Sequence, residues 1–289
     1  MNLTSPSQVK TWCIENGFHP NKTLGQNFLV DKNILDVIIE TAGVGPGDEV
    51  LEIGPGLGVL TEGLLDHGSR VVAIEKDRRL AERLQRELSG RDGAEVITAD
   101  ALEVDWDTLL SGHRFAASVS NLPYSVGTRI LIDLAFKEGA PTRFVLLVQT
   151  EVADRFAAGP GEKERGQAGV WLQLDYDVTL VRQVKPCCFW PQPEVNSTIV
   201  RLDRHPCSLS ARERRLFFAL TRHSFMHRRK QLGTLLRKAP GILEAPAEEV
   251  LSRLERAGLP SQIRPEALTL PQWEALARIY AAEARDEER

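Results

Sequence analysis

The amino-acid sequence predicts an α/β protein, a doubly wound and mostly parallel sheet of seven strands followed by a small all-helical domain. Two observations predict this. From Asp48 to about Leu202 short β-branched runs alternate with amphipathic stretches, the pattern of parallel strands covered by helices. From Ser210 onward apolar residues recur at helical spacing, punctuated by Pro240, Pro246, Pro260, Pro265 and Pro271.

The first strand runs are Glu49 to Ile53, Arg70 to Glu75, Ala94 to Thr98, Phe115 to Val119 and Arg143 to Val148. Between them, Gly58 to His67, Asp77 to Leu88 and Gly127 to Phe136 repeat apolar residues three to four apart, as a single buried helix face requires. A helix is expected over Gln167 to Tyr176. The runs Asp177 to Val184 and Ser197 to Leu202 then follow with only the proline-rich Lys185 to Pro193 between them. They are expected as an antiparallel pair at the end of the sheet, which brings the count to seven strands. The polar end, Ala281 to Arg289, is expected to fray, and no internal repeat is present.

With 289 residues and 42% hydrophobic content, the chain can build one large and one small domain. No apolar run approaches the roughly 18 residues that would span a membrane, and no secretory pattern opens the sequence. The expected location is therefore the cytoplasm. Cys13, Cys187, Cys188 and Cys207 lack metal-ligand spacing and are too few for a disulfide framework, so free thiols are expected. Nothing points beyond a monomer.

The glycine-rich turn Leu51-Glu52-Ile53-Gly54-Pro55-Gly56-Leu57-Gly58 leaves the first strand for a helix, where glycines allow a ligand to approach the backbone. Glu75 lies 21 residues after Gly54, at the end of the second strand, where a doubly wound fold accepts hydrogen bonds from ribose hydroxyls. NAD and S-adenosylmethionine both suit that arrangement. The spacing G-x-G-x-G and the acid Glu52 lean away from a dinucleotide, because a carboxylate tolerates a sulfonium or amino group but not two phosphates. Asp100, just after the third strand, is placed to accept from an adenine amino group. The plainer readings are a strand-to-helix turn for the glycines and helix caps for Glu75 and Asp100.

Asn121-Leu122-Pro123-Tyr124 follows the fourth strand, at the edge where these loops converge. The lone pair of an adenine N6 amino group is delocalised into its ring, so the nitrogen becomes nucleophilic only when acceptors hold its two protons. The Asn121 side-chain oxygen and a backbone carbonyl near Leu122 or Pro123 supply such acceptors, and Tyr124 can stack on the base. In isolation the four residues also read as a loop turn.

The formal net charge of −4 conceals a segregated basic segment. Residues 201 to 238 hold eleven Lys or Arg against Asp203 and Glu213. Arg222, Arg228, Arg229 and Lys230 are the candidate phosphate contacts, with a merely solvated face as the plain alternative. His223 and His227 share a helical face, but no third ligand accompanies them and no metal is expected.

Several of these motifs occur together in one known family. Lys22-Thr23-Leu24-Gly25-Gln26-Asn27-Phe28-Leu29-Val30-Asp31, the Glu-x-Gly-x-Gly-x-Gly loop, Asn-Leu-Pro-Tyr, Phe189-x-Pro191-x-Pro193-x-Val195-x-Ser197 and Arg228-Arg229-Lys230 stand in the order seen in the KsgA/RsmA family. Over nearly its whole length the chain resembles those small-subunit (16S) rRNA adenine N6-dimethyltransferases.

The resemblance implies a Rossmann-like methyltransferase domain over residues 1–205, with 1–32 covering the cofactor, and a helical RNA- or ribosome-binding domain over 206–289. It implies S-adenosylmethionine as cofactor, held by Asn27, Leu29, Gly54, Gly56, Glu75, Asp100 and Asn121. Phe189 would face Tyr124 across a flipped adenine. The implied partner is small-subunit rRNA in a partly assembled subunit, with two adjacent adenosines each dimethylated. An Erm-type large-subunit enzyme and an assembly- or transcription-factor-like RNA-binding relative are the alternatives. The chain departs from the family pattern at Leu24, at Gly166-Gln167-Ala168-Gly169, and at Glu194 and Asn196.

Overall fold

The structure, a computed structural model, describes residues 1–21 and 25–286. Lys22, Thr23 and Leu24 of the first motif lie outside them. Contacts divide the chain into two compact units, 1–153 with 177–204 and 154–176 with 205–289. The sequence-based boundary at 205/206 follows the chain's second passage between units; residues 154–176, assigned there to the first domain, group with the C-terminal unit.

In the first unit, α1 (Pro6–Glu15), β1 (Phe28–Leu29) and α2 (Lys32–Ala42) precede an alternating series. That series is β2 (Glu49–Ile53), α3 (Val59–Asp66), β3 (Arg70–Glu75), α4 (Arg78–Glu87), β4 (Ala94–Thr98), α5 (Trp106–Gly112), β5 (Phe115–Asn121), α6 (Gly127–Ala135) and β6 (Arg143–Gln149). After α7 (Thr150–Ala157) and α8 (Gln167–Asp175) come β7 (Tyr176–Val184), β8 (Phe189–Trp190) and β9 (Ser197–Arg204). The seven-stranded sheet has the order β4-β3-β2-β5-β6-β9-β7. Strands β4 through β6 pair in parallel, and β9 runs antiparallel to β6.

Local chemistry explains the helix starts. Asp31, Asp77 and Asp105 each accept backbone N–H bonds at the head of α2, α4 and α5, satisfying donors that a helix start leaves open. The head of α3 is different, because Gly58 stands there at φ 88° and a Cβ would come within 2.5 Å of Leu84 Cδ1. Helix α2 turns Ile34, Ile38, Ile39 and Ala42 into a core shared with Leu60 and Leu64 of α3. Each fully buried leucine or isoleucine contributes about 1.5–3 kcal/mol.

Two features place the functional loops. The chain moves from β2 to β3 on one side and returns to β5 on the other, so the order reverses between β2 and β5 and opens a crevice at their carboxyl ends. Strand β5 extends two residues beyond its expected end, so Asn121 pairs with Leu147 of β6 and its direction is set by the sheet.

The second unit contains α9 (Ala211–Met226), α10 (Leu232–Leu236), α11 (Ala247–Arg256) and α12 (Leu270–Asp286) besides α8. A Ser210–Glu213 capping box starts α9. Gly169 on α8 faces the Arg155 carbonyl so closely that a Cβ would lie 2.2 Å from that oxygen. The glycine at this point of departure from the family pattern therefore has a packing reason. Among the described residues no helix is long and apolar enough to cross a membrane, and all four cysteines are free.

Candidate active site

The loops after β2, β3, β4 and β5 enclose a cavity of about 320 Å³ in the first unit. The sequence-predicted Asn27, Leu29, Gly54, Gly56, Glu75, Asp100, Asn121 and Pro123 all line it. Glycine is needed at two places. Gly56 takes φ 59°, and a Cβ there would stand 3.0 Å from the Phe28 ring. Gly25, at φ 67°, lets the N-terminal segment approach Tyr124 N, which would lie 3.3 Å from an added Cβ.

Glu75 is buried, with Oε2 accepting from Gly56 N at 2.9 Å and Oε1 from Asp77 N at 2.8 Å. Burial raises its pKa against those backbone donors. The carboxylate thus ties the glycine turn to the head of α4, and its two oxygens keep further accepting capacity. Asp77, not Glu75, caps α4. On the next strand end, Asp100 accepts from Lys76 Nζ at 2.6 Å and from Leu102 N at 3.0 Å. The lysine hydrogen bond holds its pKa below the usual carboxylate value.

The Asn121 amide is oriented by its neighbours. Nδ2 donates to the Asn27 carbonyl at 2.9 Å, which turns Oδ1 to the opposite side of the amide. Of the two candidate carbonyls, that of Pro123 already accepts from Gly127 N at 2.8 Å and Val126 N at 3.3 Å, at the start of α6. The Leu122 carbonyl accepts no bond among the described residues. Asn121 Oδ1 and Leu122 O are therefore the pair left to hold an amino group.

The two aromatic candidates stand outside the residues that line the cavity. Tyr124 is half-buried, with its hydroxyl 2.7 Å from Ser197 Oγ, and burial raises its pKa. Phe189 is only 1% exposed and packs in the core with Leu29, Ile34 and Ile199. The cause is the antiparallel pairing of β1 with β8, which sets Phe189 opposite Leu29.

Sequence reasoning missed several wall residues. Phe28 and Lys76 directly flank predicted positions and Leu102 stands two residues from Asp100, whereas Ile130 reaches the cavity only through tertiary packing. The donor set fits S-adenosylmethionine: a buried carboxylate at a strand end for a ribose, a second acid for an amino group, glycines admitting close approach, and apolar walls. Glu52 also lines the cavity; burial pushes its pKa up to about 8, and Thr61 Oγ1 donates to it at 2.6 Å.

In the second unit Arg222 lies over the Trp171 ring at 5.4 Å, and Arg228 Nη1 donates to the Lys163 and Arg165 carbonyls at 3.1 and 3.2 Å. Arg229 and Lys230 are exposed. His223 Nε2 lies 2.9 Å from the Leu235 carbonyl, and no cluster suited to a metal ion occurs among the described residues.

The family model described as ribosomal RNA adenine dimethylase matches residues 17–255. Among curated relatives, the ribosomal RNA small subunit methyltransferase A of Opitutus terrae is 41% identical, covering 96% of this chain and 98% of its own. That of Alkaliphilus metalliredigens is 36% identical over 97% and 98%. Among solved structures, a dimethyladenosine transferase from Plasmodium falciparum is similar at TM-score 0.72 and 26% identity, covering 85% of this chain and 94% of that one. The 23S rRNA methyltransferase ErmE is similar at TM-score 0.67 and 27% identity, over 88% and 99%.

Proposed function

The chain belongs to the ribosomal RNA adenine dimethylase family, and from that premise we propose that it methylates N6 of two adjacent adenosines near the 3′ end of small-subunit (16S) rRNA, giving N6,N6-dimethyladenosines. S-adenosylmethionine, when bound, supplies an electrophilic methyl group. Glu75 receives the ribose hydroxyls, Asp100 the adenine amino group, and Asn27, Leu29, Gly54 and Gly56 the body of the cofactor.

One observation carries the assignment of the catalytic end. The Asn27 carbonyl fixes Asn121 Nδ2, so Oδ1 and the Leu122 carbonyl are free to accept the two N6 protons. Held in this way, the nitrogen pyramidalises and its lone pair becomes available. The ammonium that forms is acidic, so no strong base is needed, and positioning together with hydrogen bonds that strengthen in the transition state supplies the catalysis. Pro123 contributes a fixed φ and anchors α6 through its carbonyl. Tyr124 stacks on the extruded base, worth about 1–3 kcal/mol. Phe189 helps to hold that base, and through its pairing opposite Leu29 it also supports the segment whose Asn27 carbonyl orients Asn121.

Arg222, Arg228, Arg229 and Lys230 contact rRNA phosphates, with Arg228 also bracing 163–165. The substrate is a partly assembled subunit in the cytoplasm, met by a monomer. The large-subunit reading draws on the likeness to ErmE; the names and higher identity of the curated relatives favour the small subunit. Incubation with labelled S-adenosylmethionine and unmodified small subunits tests the proposal. Label in the rRNA is expected; a folded, cofactor-bound protein that leaves the rRNA unlabelled would overturn it.

A further inference from the structure

The cavity wall carries two buried acids. Glu52 is 1% exposed and Glu75 6%, on adjacent strands, and both face one cavity. Among the described residues neither forms a salt bridge. Lys76 is the basic residue of the wall, and it is engaged by Asp100 at 2.6 Å. Two buried acids with no cation between them cannot both be ionised cheaply, since desolvation and mutual repulsion each favour the neutral form.

Among the described residues, no basic side chain faces Glu52. On β3 it pairs with Ala73, and the titratable group beyond is Glu75. Strand β5 offers Ser118 and Ser120, the latter bonded to Ile53 N. Helix α2 packs inward with isoleucines, α3 contributes the Thr61 hydroxyl, and the glycine turn carries no titratable group.

We infer that Glu52 is a charge-reading residue: it holds a proton in the empty site and gives it up as a cationic ligand fills the cavity. This rests on the cofactor reading above and deepens it. The two ligands of the reaction differ by one positive charge, a sulfonium in S-adenosylmethionine and a neutral thioether in S-adenosylhomocysteine. A carboxyl that ionises for the first and stays protonated for the second favours the charged cofactor and releases the spent product.

The proton balance is explicit. The Glu52 O–H bond breaks, the electron pair stays on the carboxylate, and solvent buffer takes the proton. With a pKa of about 8, Glu52 is about 0.9 protonated at pH 7 and about 0.1 at pH 9. Binding of S-adenosylmethionine should then release close to one proton at pH 7 and almost none at pH 9, with affinity rising about tenfold per pH unit below pH 8.

Calorimetric titration in two buffers of different ionisation enthalpy reads that release directly, without turnover. Three probes are used: S-adenosylmethionine, S-adenosylhomocysteine, and an analogue with an ammonium in place of the sulfonium. The two cations should release the proton, the thioether much less. Glu52→Gln should abolish the release and narrow the preference for cofactor over product about tenfold. Thr61→Val, which removes a bond favouring the carboxylate, should move the release to higher pH and serves if Glu52→Gln fails to fold. Equal release with cation and thioether, or release unchanged in Glu52→Gln, overturns the inference alone. Absence of binding by all three probes overturns the cofactor reading and the inference with it.

Discussion

Replacing Asn121 by Asp alters a single atom and separates two roles of the side chain. In the native protein Nδ2 donates to the Asn27 carbonyl at 2.9 Å while Oδ1 is left for the adenine amino group. Aspartate keeps the acceptor but puts a second oxygen against the Asn27 carbonyl. The lost hydrogen bond costs about 1 kcal/mol, and leaving a carbonyl opposite another acceptor costs about 1–3 kcal/mol more. If that 2–4 kcal/mol is lost from transition-state positioning, kcat falls about 30- to 1,000-fold. Single-turnover methylation of unmodified small subunits measures it, with cofactor affinity determined separately. Lowering the pH should recover part of the loss, because a protonated carboxyl can again donate to Asn27. A rate within about threefold of the native protein, at unchanged cofactor affinity, would refute the argument that the Asn27 contact orients the catalytic amide.

Three further expectations follow from the same geometry. Glu52→Gln should stabilise the ligand-free protein increasingly as pH rises from about 4.5 to about 8, because the native carboxyl keeps a proton that the unfolded chain gives up over that window. The full gain is about 5 kcal/mol or less, and a melting-temperature difference that is flat across the window would contradict it. Gly169→Ala should destabilise the C-terminal unit by about 2–4 kcal/mol, since a Cβ would stand 2.2 Å from the Arg155 carbonyl oxygen; denaturant unfolding that leaves the variant indistinguishable from the native protein would exclude that contact. Replacing exposed Arg229 and Lys230 together by Ala should weaken rRNA binding and lower its salt slope by about 1.5–2, with cofactor affinity unaltered. Binding with an unchanged slope would mean that these two side chains do not meet phosphate.

Much of the α/β architecture is legible because strands and helices here obey local periodicity. Glu49–Ile53, Arg70–Glu75 and Ala94–Thr98 are found as their β-branched runs predict. The two-residue pair β1–β8 is not legible, since two residues carry no period, yet it decides where Phe189 points. The same holds for the choice of acceptor in Asn-Leu-Pro-Tyr. Sequence chemistry leaves Leu122 and Pro123 equivalent, and only the capping of α6 by the Pro123 carbonyl separates them. Local sequence gives no reason for glycine at 169, whereas the approach of the Arg155 carbonyl does. The grouping of 154–176 with the C-terminal helices is likewise a matter of packing, because composition does not change at 153.

The most direct test of the central claim is to react the protein with S-adenosylmethionine and unmodified small ribosomal subunits, then map modified bases along the rRNA. The account predicts N6,N6-dimethyladenosine at two adjacent positions near the 3′ end of the small-subunit rRNA, and none in Asn121→Ala. Methylation confined to large-subunit rRNA, or unmodified rRNA despite demonstrated cofactor binding, would contradict it.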